Sequence, residues 1–289
     1  MNDFQVLNDI EIVQDLLELN AEEMAGEIGV SRVTLSNWKK DAGRIGQSYL
    51  SAFYSMAFKS KIRLNKIKEQ LYKEDYSSVS HAILFHGAKT QLDGKIDISR
   101  SRKNSDFGQG FYCGESLEQS AMFVSNFPES SLYIVDFNKE GLKSKSFSVD
   151  REWMLTIAYY RGRLKEYDTL QVISELISKN RDVDYFIAPI ADNRMFEIID
   201  SFIEGEITDI QCQHCLSATN LGNQYVFVSQ KAADQISVLE HCYLAKEEKE
   251  YYLTSRQESV EMNRDKVKVA RKQYRGQGKY IEEILNEGF

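Results

Sequence analysis

Phe107-Gly108-Gln109-Gly110-Phe111-Tyr112-Cys113-Gly114-Glu115-Ser116-Leu117-Glu118-Gln119-Ser120-Ala121-Met122-Phe123 is the stretch whose reading decides the rest of the chain. It reads as a glycine loop, a short strand, a turn and a helix. Gly108 and Gly110 allow a tight turn or close approach to a ligand. Phe111 and Tyr112 favour a strand, and Ser116 with Gln119 three residues on forms a capping box that opens a helix. That helix would bring Ser120 and Phe123 towards Tyr112, so that two rings and a hydroxyl converge on a slot suited to a flat polar ring. Taken alone, a glycine pair followed by aromatics reads more readily as a buried turn and core.

Two further stretches weigh towards the slot. Ile83-Leu84-Phe85-His86-Gly87 is an apolar strand ending in His-Gly, and Gly222-Asn223-Gln224-Tyr225-Val226-Phe227-Val228 is a later strand that begins with polar residues. Together, and in this order, the three resemble the NAD-binding core of the ADP-ribosyltransferases, in particular the poly(ADP-ribose) polymerase-like branch. Asp106-Phe107-Gly108-Gln109-Gly110-Phe111-Tyr112 also resembles a bacterial, toxin-associated family of uncharacterised transferase-like domains. The resemblance covers roughly residues 79 to 240. Nicotinamide is a ring of the kind the slot would take.

The 289 residues suit one or two domains with a sizeable core, and the net charge of -8 argues against a generally basic nucleic-acid coat. Met1-Asn2-Asp3-Phe4 opens no basic, apolar leader, and no apolar run approaches the roughly 18 residues of a membrane span. A cytoplasmic protein without membrane contact is expected. Cys212-Gln213-His214-Cys215 and His241-Cys242 offer possible zinc ligands, but Cys212 and Cys215 fall at i, i+3 in a helix opened by Thr208, which favours buried thiols, and no metal is expected.

Four segments are expected: a helix-turn-helix over 1–44, a connecting helix over 45–78, the transferase-like domain over 79–240 and a helical tail over 241–289. In the first, Asn20 and Glu23 make a capping box, Gly29 a turn, and Ser31 opens a second helix. This resembles a helix-turn-helix of the phage-repressor type. Arg32, Thr34, Ser36, Asn37, Lys39 and Lys40 would face DNA, although residues 1–44 hold nine acidic and four basic side chains. An interaction module is the other reading. From Ser48 to Tyr72 one long helix is expected, with Leu50, Phe53, Ala57, Leu64, Ile67 and Leu71 along its seam and Lys59, Lys61, Arg63, Lys66, Lys68 and Lys73 as a basic second half. That half is either a solvated face or a guide for an anionic target. A second basic stretch runs from Arg264 to Lys279.

Strands are expected at Ala82 to His86, Leu132 to Phe137, Tyr185 to Ile190 and Gln224 to Ser229, and helix starts at Asp150, Asp168, Asp192 and Ser229. Without regular βαβ alternation the fold class is α+β. The resemblance implies an ADP-ribosyltransferase-like split β-sandwich.

The resemblance also implies a site for NAD+ as substrate. His86 would bond the adenosine ribose, Gly87 and Ser120 would fix the carboxamide, and Tyr112 and Phe123 would sandwich the nicotinamide beside Gly110. Arg100 and Arg102 could meet the pyrophosphate; Arg161, Asp192 and Arg194 are further candidates that also read as caps or ion pairs. Gln224 stands where the polymerases carry glutamate, which argues against chain elongation and for single transfer by a catalytic set of His86, Tyr112 and Gln224. The expected activity is mono-ADP-ribosylation by a bacterial toxin or phage-defence effector. Its partners would be a macromolecular acceptor, nucleic acid rather than protein, an antitoxin or inhibitor protein, and DNA through residues 1–44. An NAD-binding sensor or a transcription regulator with an inactive transferase-like domain is the alternative.

Overall fold

The computed structural model describes residues 4–40, 45–76, 78–219 and 222–287. The boundary expected at residue 44, the first three residues and the last two residues of the expected tail lie outside the described residues. The chain begins with five helices: α1 (Val6–Leu16), α2 (Ala21–Ile28), α3 (Arg32–Trp38), α4 (Gln47–Lys59) and α5 (Leu64–Tyr76). Then follow β1 (His81–Ala88), β2 (Phe111–Gly114), α6 (Leu117–Val124), β3 (Ser131–Asn138), β4 (Ser144–Ser146), α7 (Arg151–Tyr160) and α8 (Gln171–Asn180). The remainder is β5 (Tyr185–Pro189), α9 (Asn193–Ile203), α10 (Asp209–Ser217), β6 (Asn223–Phe227), α11 (Gln230–Ala233), β7 (Ile236–Cys242), α12 (Lys246–Gln273) and α13 (Ile281–Glu287). The class is α+β, as expected from the sequence.

Two compact units form, each assembled from three stretches. The first contains Met1–Asp93, Ser116–Asn138 and Ser237–Arg256; the second contains Gly94–Glu115, Lys139–Ile236 and Gln257–Phe289. In the first unit β1, β3 and β7 lie in that order, with β1 antiparallel to β3 and Phe85 opposite Ile134. Ile83, Phe85, Leu132 and Ile134 pack with Leu117 and Ala121 of α6 and with Tyr252, while Val6, Ile10, Met24, Leu35, Trp38, Leu50 and Phe53 make a separate helical core. In the second unit the order is β4, β5, β6, β2; β5 and β2 are both antiparallel to β6 and β4 runs parallel to β5. Phe107, Trp153, Ile157, Leu176, Phe186, Phe202 and Val226 centre its core.

The single helix expected from Ser48 to Tyr72 is two helices. Lys61 takes a left-handed φ of 66°, its N–H donates to Phe58 O at 3.0 Å and the Ile62 N–H donates to Ala57 O at 3.0 Å. This is a Schellman-type stop, held by burial of Ile62. The break turns α5, so its buried residues are Leu64, Asn65, Lys68 and Glu69, and Leu71 of the expected seam is exposed. The basic half is divided: Lys59, Lys61 and Lys66 are exposed, as the solvated-face reading has it, while Lys68 is buried against acids. Lys68, 3% exposed, donates to Asp9 Oδ2 at 2.7 Å and to Glu240 Oε1; Tyr54 and Tyr72 donate to Asp9 and Glu240 at 2.6 and 3.0 Å. Burial works against the Lys68 ammonium, but Asp9 and Glu240 outweigh it and hold its pKa above the usual lysine value. Lys66 and Lys73 pair with Glu69, and Lys59 with Glu247.

Other expectations are corrected locally. Ser116 occupies the N-cap position of α6 without a side-chain cap bond, so the capping box does not form. Asp168 ends a short 3-10 turn, and α8 starts after Leu170. The tail is not wholly helical: β7 runs to Cys242, and a non-helical segment separates α12 from α13. Asp150, Asp192, Thr208 and Ser229 do cap helices with their side chains.

Glu248, buried on α12, accepts from Asn65 Nδ2 at 3.1 Å on both oxygens, and burial pushes its pKa up to about 7 from 4.5. With the folded value above the unfolded one, this contribution to stability is complete below about 4.5 and is lost as pH rises through about 7. Urea unfolding between pH 5 and 8 should show a decline of roughly 3 kcal/mol from this group, and Glu248→Gln should flatten it; an unchanged slope in the variant would refute the assignment.

Candidate functional site

The residues singled out from the sequence fall in both units. In the first unit the His-Gly motif ends β1, and α6 crosses it at contact distance. A Cβ on Gly87 would sit 2.8 Å from Ser120 O and 2.7 Å from Val124 Cγ1, so only glycine lets the helix lie against the strand. Ser120 is buried, and its hydroxyl donates to Phe85 O at 2.9 Å, which ties α6 to β1 and leaves the oxygen lone pairs as its remaining capacity. The His86 ring is half-buried, with its centroid 6.4 Å from that of Tyr133, whose ring stacks on His241 at 4.6 Å. Phe123 is 56% exposed.

In the second unit the glycine loop is closed by its own tyrosine. Gly108 has φ 74°, a conformation that disfavours any side chain. The Tyr112 hydroxyl donates to Gly108 O at 2.7 Å and accepts from Phe107 N at 3.2 Å; burial pushes its pKa well above the ordinary tyrosine value. Gln109 Nε2 donates to Ser101 O at 3.2 Å and the Gly110 N–H donates to Ser101 Oγ at 2.7 Å. A Cβ on Gly110 would lie 2.7 Å from Phe227 O, so this glycine is what allows β2 to begin its pairing with β6. Arg100 stands 3.9 Å from Asp97, and Arg102 is exposed in the same loop.

The β2–β6 register sets Gly114 opposite Gln224 and Tyr112 opposite Val226. Tyr112 and Gln224 therefore share one face of the sheet, as does Ala188 of β5. Gln224, 8% exposed, donates from Nε2 to Asp106 Oδ2 at 3.2 Å and to Pro189 O at 3.4 Å. Asp106, 7% exposed, takes Arg161 Nε and Nη2 on its other oxygen at 2.8 and 2.5 Å. Arg161 also reaches Ala191 O at 3.3 Å and lies over the Phe196 ring at 4.1 Å. Asp106 is the residue that sequence reasoning left out of the site. It was visible as the carboxylate that opens the glycine motif, but nothing in its position along the chain points to Gln224, 118 residues away.

The remaining candidates have local tasks. Asp192 caps α9, and Arg194 bonds Asp192 and Val260 O. Cys212 and Cys215 are buried on α10, where burial raises their thiol pKa values. Among the described residues no group of three or more His, Cys, Asp or Glu side chains is placed to hold a metal ion, and no helix is long and apolar enough to cross a membrane. A cleft of about 370 Å³ beside Pro189, Ile190, Met195, Leu216 and Asn223 contains none of the predicted NAD-binding residues. Its walls are chiefly apolar.

Residues 82–238, more than half of the chain, match a family model described as a protein of unknown function (DUF3990), and the chain belongs to that family. No curated protein and no solved structure matches it. The matched region runs from β1 into β7 and takes in all three sequence motifs; α1–α5, α12 and α13 lie outside it.

The glycine assignment predicts that Gly110→Ala, which must push against the Phe227 carbonyl, lowers unfolding stability by about 1–3 kcal/mol, whereas Gly26→Ala, with nothing within 4 Å of the added carbon, does not. Equal midpoints for the two variants in chemical denaturation would remove the close-approach argument.

Proposed function

We propose that the chain is an NAD-dependent mono-ADP-ribosyltransferase, a toxin or defence effector that modifies a cytoplasmic macromolecule and is restrained by an antitoxin or inhibitor protein. The observation that carries this reading is the Gln224 side chain on the same sheet face as Tyr112, buried and hydrogen-bonded at the start of β6. A buried amide in a fixed hydrogen-bond network is suited to hold a ribose hydroxyl through a reaction that develops charge at the neighbouring C1. In that reaction the C1–N bond of NAD+ breaks, its electron pair leaves with nicotinamide, and an acceptor oxygen or nitrogen attacks the oxocarbenium-like carbon and releases its proton. Arg100 and Arg102 keep their expected roles towards NAD+, and the ADP-ribosyltransferase-like fold is part of the same proposal. A nucleic-acid acceptor draws support from the exposed Arg264, Lys266 and Lys272 of α12.

Incubation of the protein with labelled NAD+ and cell extract, followed by nuclease or protease digestion, tests this directly. We expect label that nuclease releases, free nicotinamide in equal amount, and NAD+ binding weakened at least roughly five-fold by Tyr112→Ala through loss of a stacking face worth on the order of 1 kcal/mol. Absence of any nicotinamide release would eliminate the activity.

A second reading, DNA binding by the N-terminal helices, is favoured by the form of α2 and α3. Gly29 ends α2 in a left-handed turn, Ser31 caps α3, Leu35 and Trp38 are buried, and Arg32, Ser36, Asn37, Lys39 and Lys40 are exposed. Thr34 is drawn back to Ser31, with 2.9 Å between their hydroxyl oxygens. With so few cationic contacts, binding to duplex DNA should be weak, should fall on the order of ten-fold or more between 50 and 200 mM salt and should weaken further in Arg32→Ala; binding indifferent to both would exclude α3 as the contact.

A further inference from the structure

Gln224 has an amide that can face two ways, and its neighbours leave it one. Asp106 Oδ2 and Pro189 O are acceptors only, so both protons of Nε2 must point at them, and Oε1 is turned away from both. Among the described residues no hydrogen bond is donated to Oε1. Asp106 in turn has its second oxygen taken by the fork of Arg161, and the guanidinium is fixed by Ala191 O and the Phe196 ring. The chain of contacts is thus Arg161 to Asp106 to Gln224, with charge balanced between the first two.

The same geometry accounts for glutamine at this position. A glutamate at 224 would put a second carboxylate against a buried Asp106 that already shares its only described cationic partner, and two carboxylates at hydrogen-bond distance cannot both stay ionised at neutral pH. Glutamine has the shape of glutamate, converts the repulsive contact into a donor, and keeps one oxygen as an acceptor.

Resting on the transferase reading above, we propose that Asp106, held by Arg161, is the positioning residue that locks Gln224 with Oε1 as a fixed acceptor for a ribose hydroxyl of NAD+. Asp106 itself touches no substrate. It removes the amide's rotational freedom, so the acceptor is in place before the glycosidic bond breaks and does not have to be found during the step.

The test moves the negative charge along the network. Asp106→Asn loses the charge that orients the amide, and kcat for nicotinamide release should fall about 10-fold or more with little change in KM. Gln224→Glu faces two carboxylates and should shift the rate optimum to lower pH, where the pair retains one proton. The double variant Asp106→Asn, Gln224→Glu restores donor against acceptor, with the asparagine oxygen to Arg161 and its amide to the glutamate, and should recover most of the lost kcat and the wild-type pH profile. A double variant no better than Asp106→Asn, or full kcat in Asp106→Asn, overturns the proposal. In the wild-type protein the two side-chain amide protons of Gln224, assigned by their loss in Gln224→Glu, should exchange slowly with solvent, and fast exchange of both also overturns it. That NMR readout needs no turnover. A protein that never releases nicotinamide but shows protected Gln224 protons would refute the transferase activity and leave the locked amide standing.

Discussion

A buried carboxylate has to be answered, and in the second unit much of the local architecture answers Asp106. Its charge would cost several kcal/mol if left alone in the interior. Arg161 comes from the end of α7 to meet one oxygen, and Gln224 comes from the first residues of β6 to meet the other. The glycine loop that follows Asp106 is thereby tied to a helix and a strand that lie far from it in sequence. Tyr112 closes the same loop from within by bonding Phe107 and Gly108. The loop conformation is set from both sides, and β2 leaves it with its register against β6 already determined.

The first unit is organised by the opposite charge in a similar setting. Lys68 is nearly inaccessible and lies between Asp9 and Glu240, with the hydroxyls of Tyr54 and Tyr72 on the same carboxylates. Such a cluster contributes little net stability compared with an apolar core of the same volume, yet removing one member strands the others. Its effect is selective: α1, α5 and β7 have one mutual placement that satisfies the lysine and both acids.

The glycines of the two motifs serve packing and leave chemistry to their neighbours. Gly87 exists so that the Ser120 carbonyl can lie over β1, and Gly110 so that β2 can approach Phe227. A motif that reads as a ligand cradle is therefore also a statement about element contact. The Gln224 side chain, on the same sheet face as Tyr112, is what an NAD+ reading is built on. Membership of a family of unknown function leaves that reading to the chemistry of the side chains themselves.

Much of the local structure was legible in the sequence because local rules decide it. Asn20 with Glu23, Gly29, Ser31, Asp150, Asp192 and Thr208 mark helix ends by hydrogen bonds that reach only two to four residues. The strands at 82–86, 132–137, 185–190 and 224–229 were found from apolar runs of the right length, within a few residues of their true ends. Polar β4 escaped because its Ser-Lys-Ser residues carry no apolar run and are held by backbone pairing with β5 and by Lys145, which donates to Glu152 and Asn180, and β7 because its Cys242 end was read into the helical tail. The break at Lys61 was invisible since no glycine or proline marks it; burial of Ile62 dictates the turn. A run of lysines gives the same signal whether it faces water or acids, so only the packed chain could put Lys68 between two carboxylates. In the same way the sequence by itself determined that residue 224 is a glutamine at the head of a strand. Only the tertiary structure decided which way its amide faces, because the acceptors that orient it, Asp106 and Pro189, are brought to it by sheet pairing and loop closure.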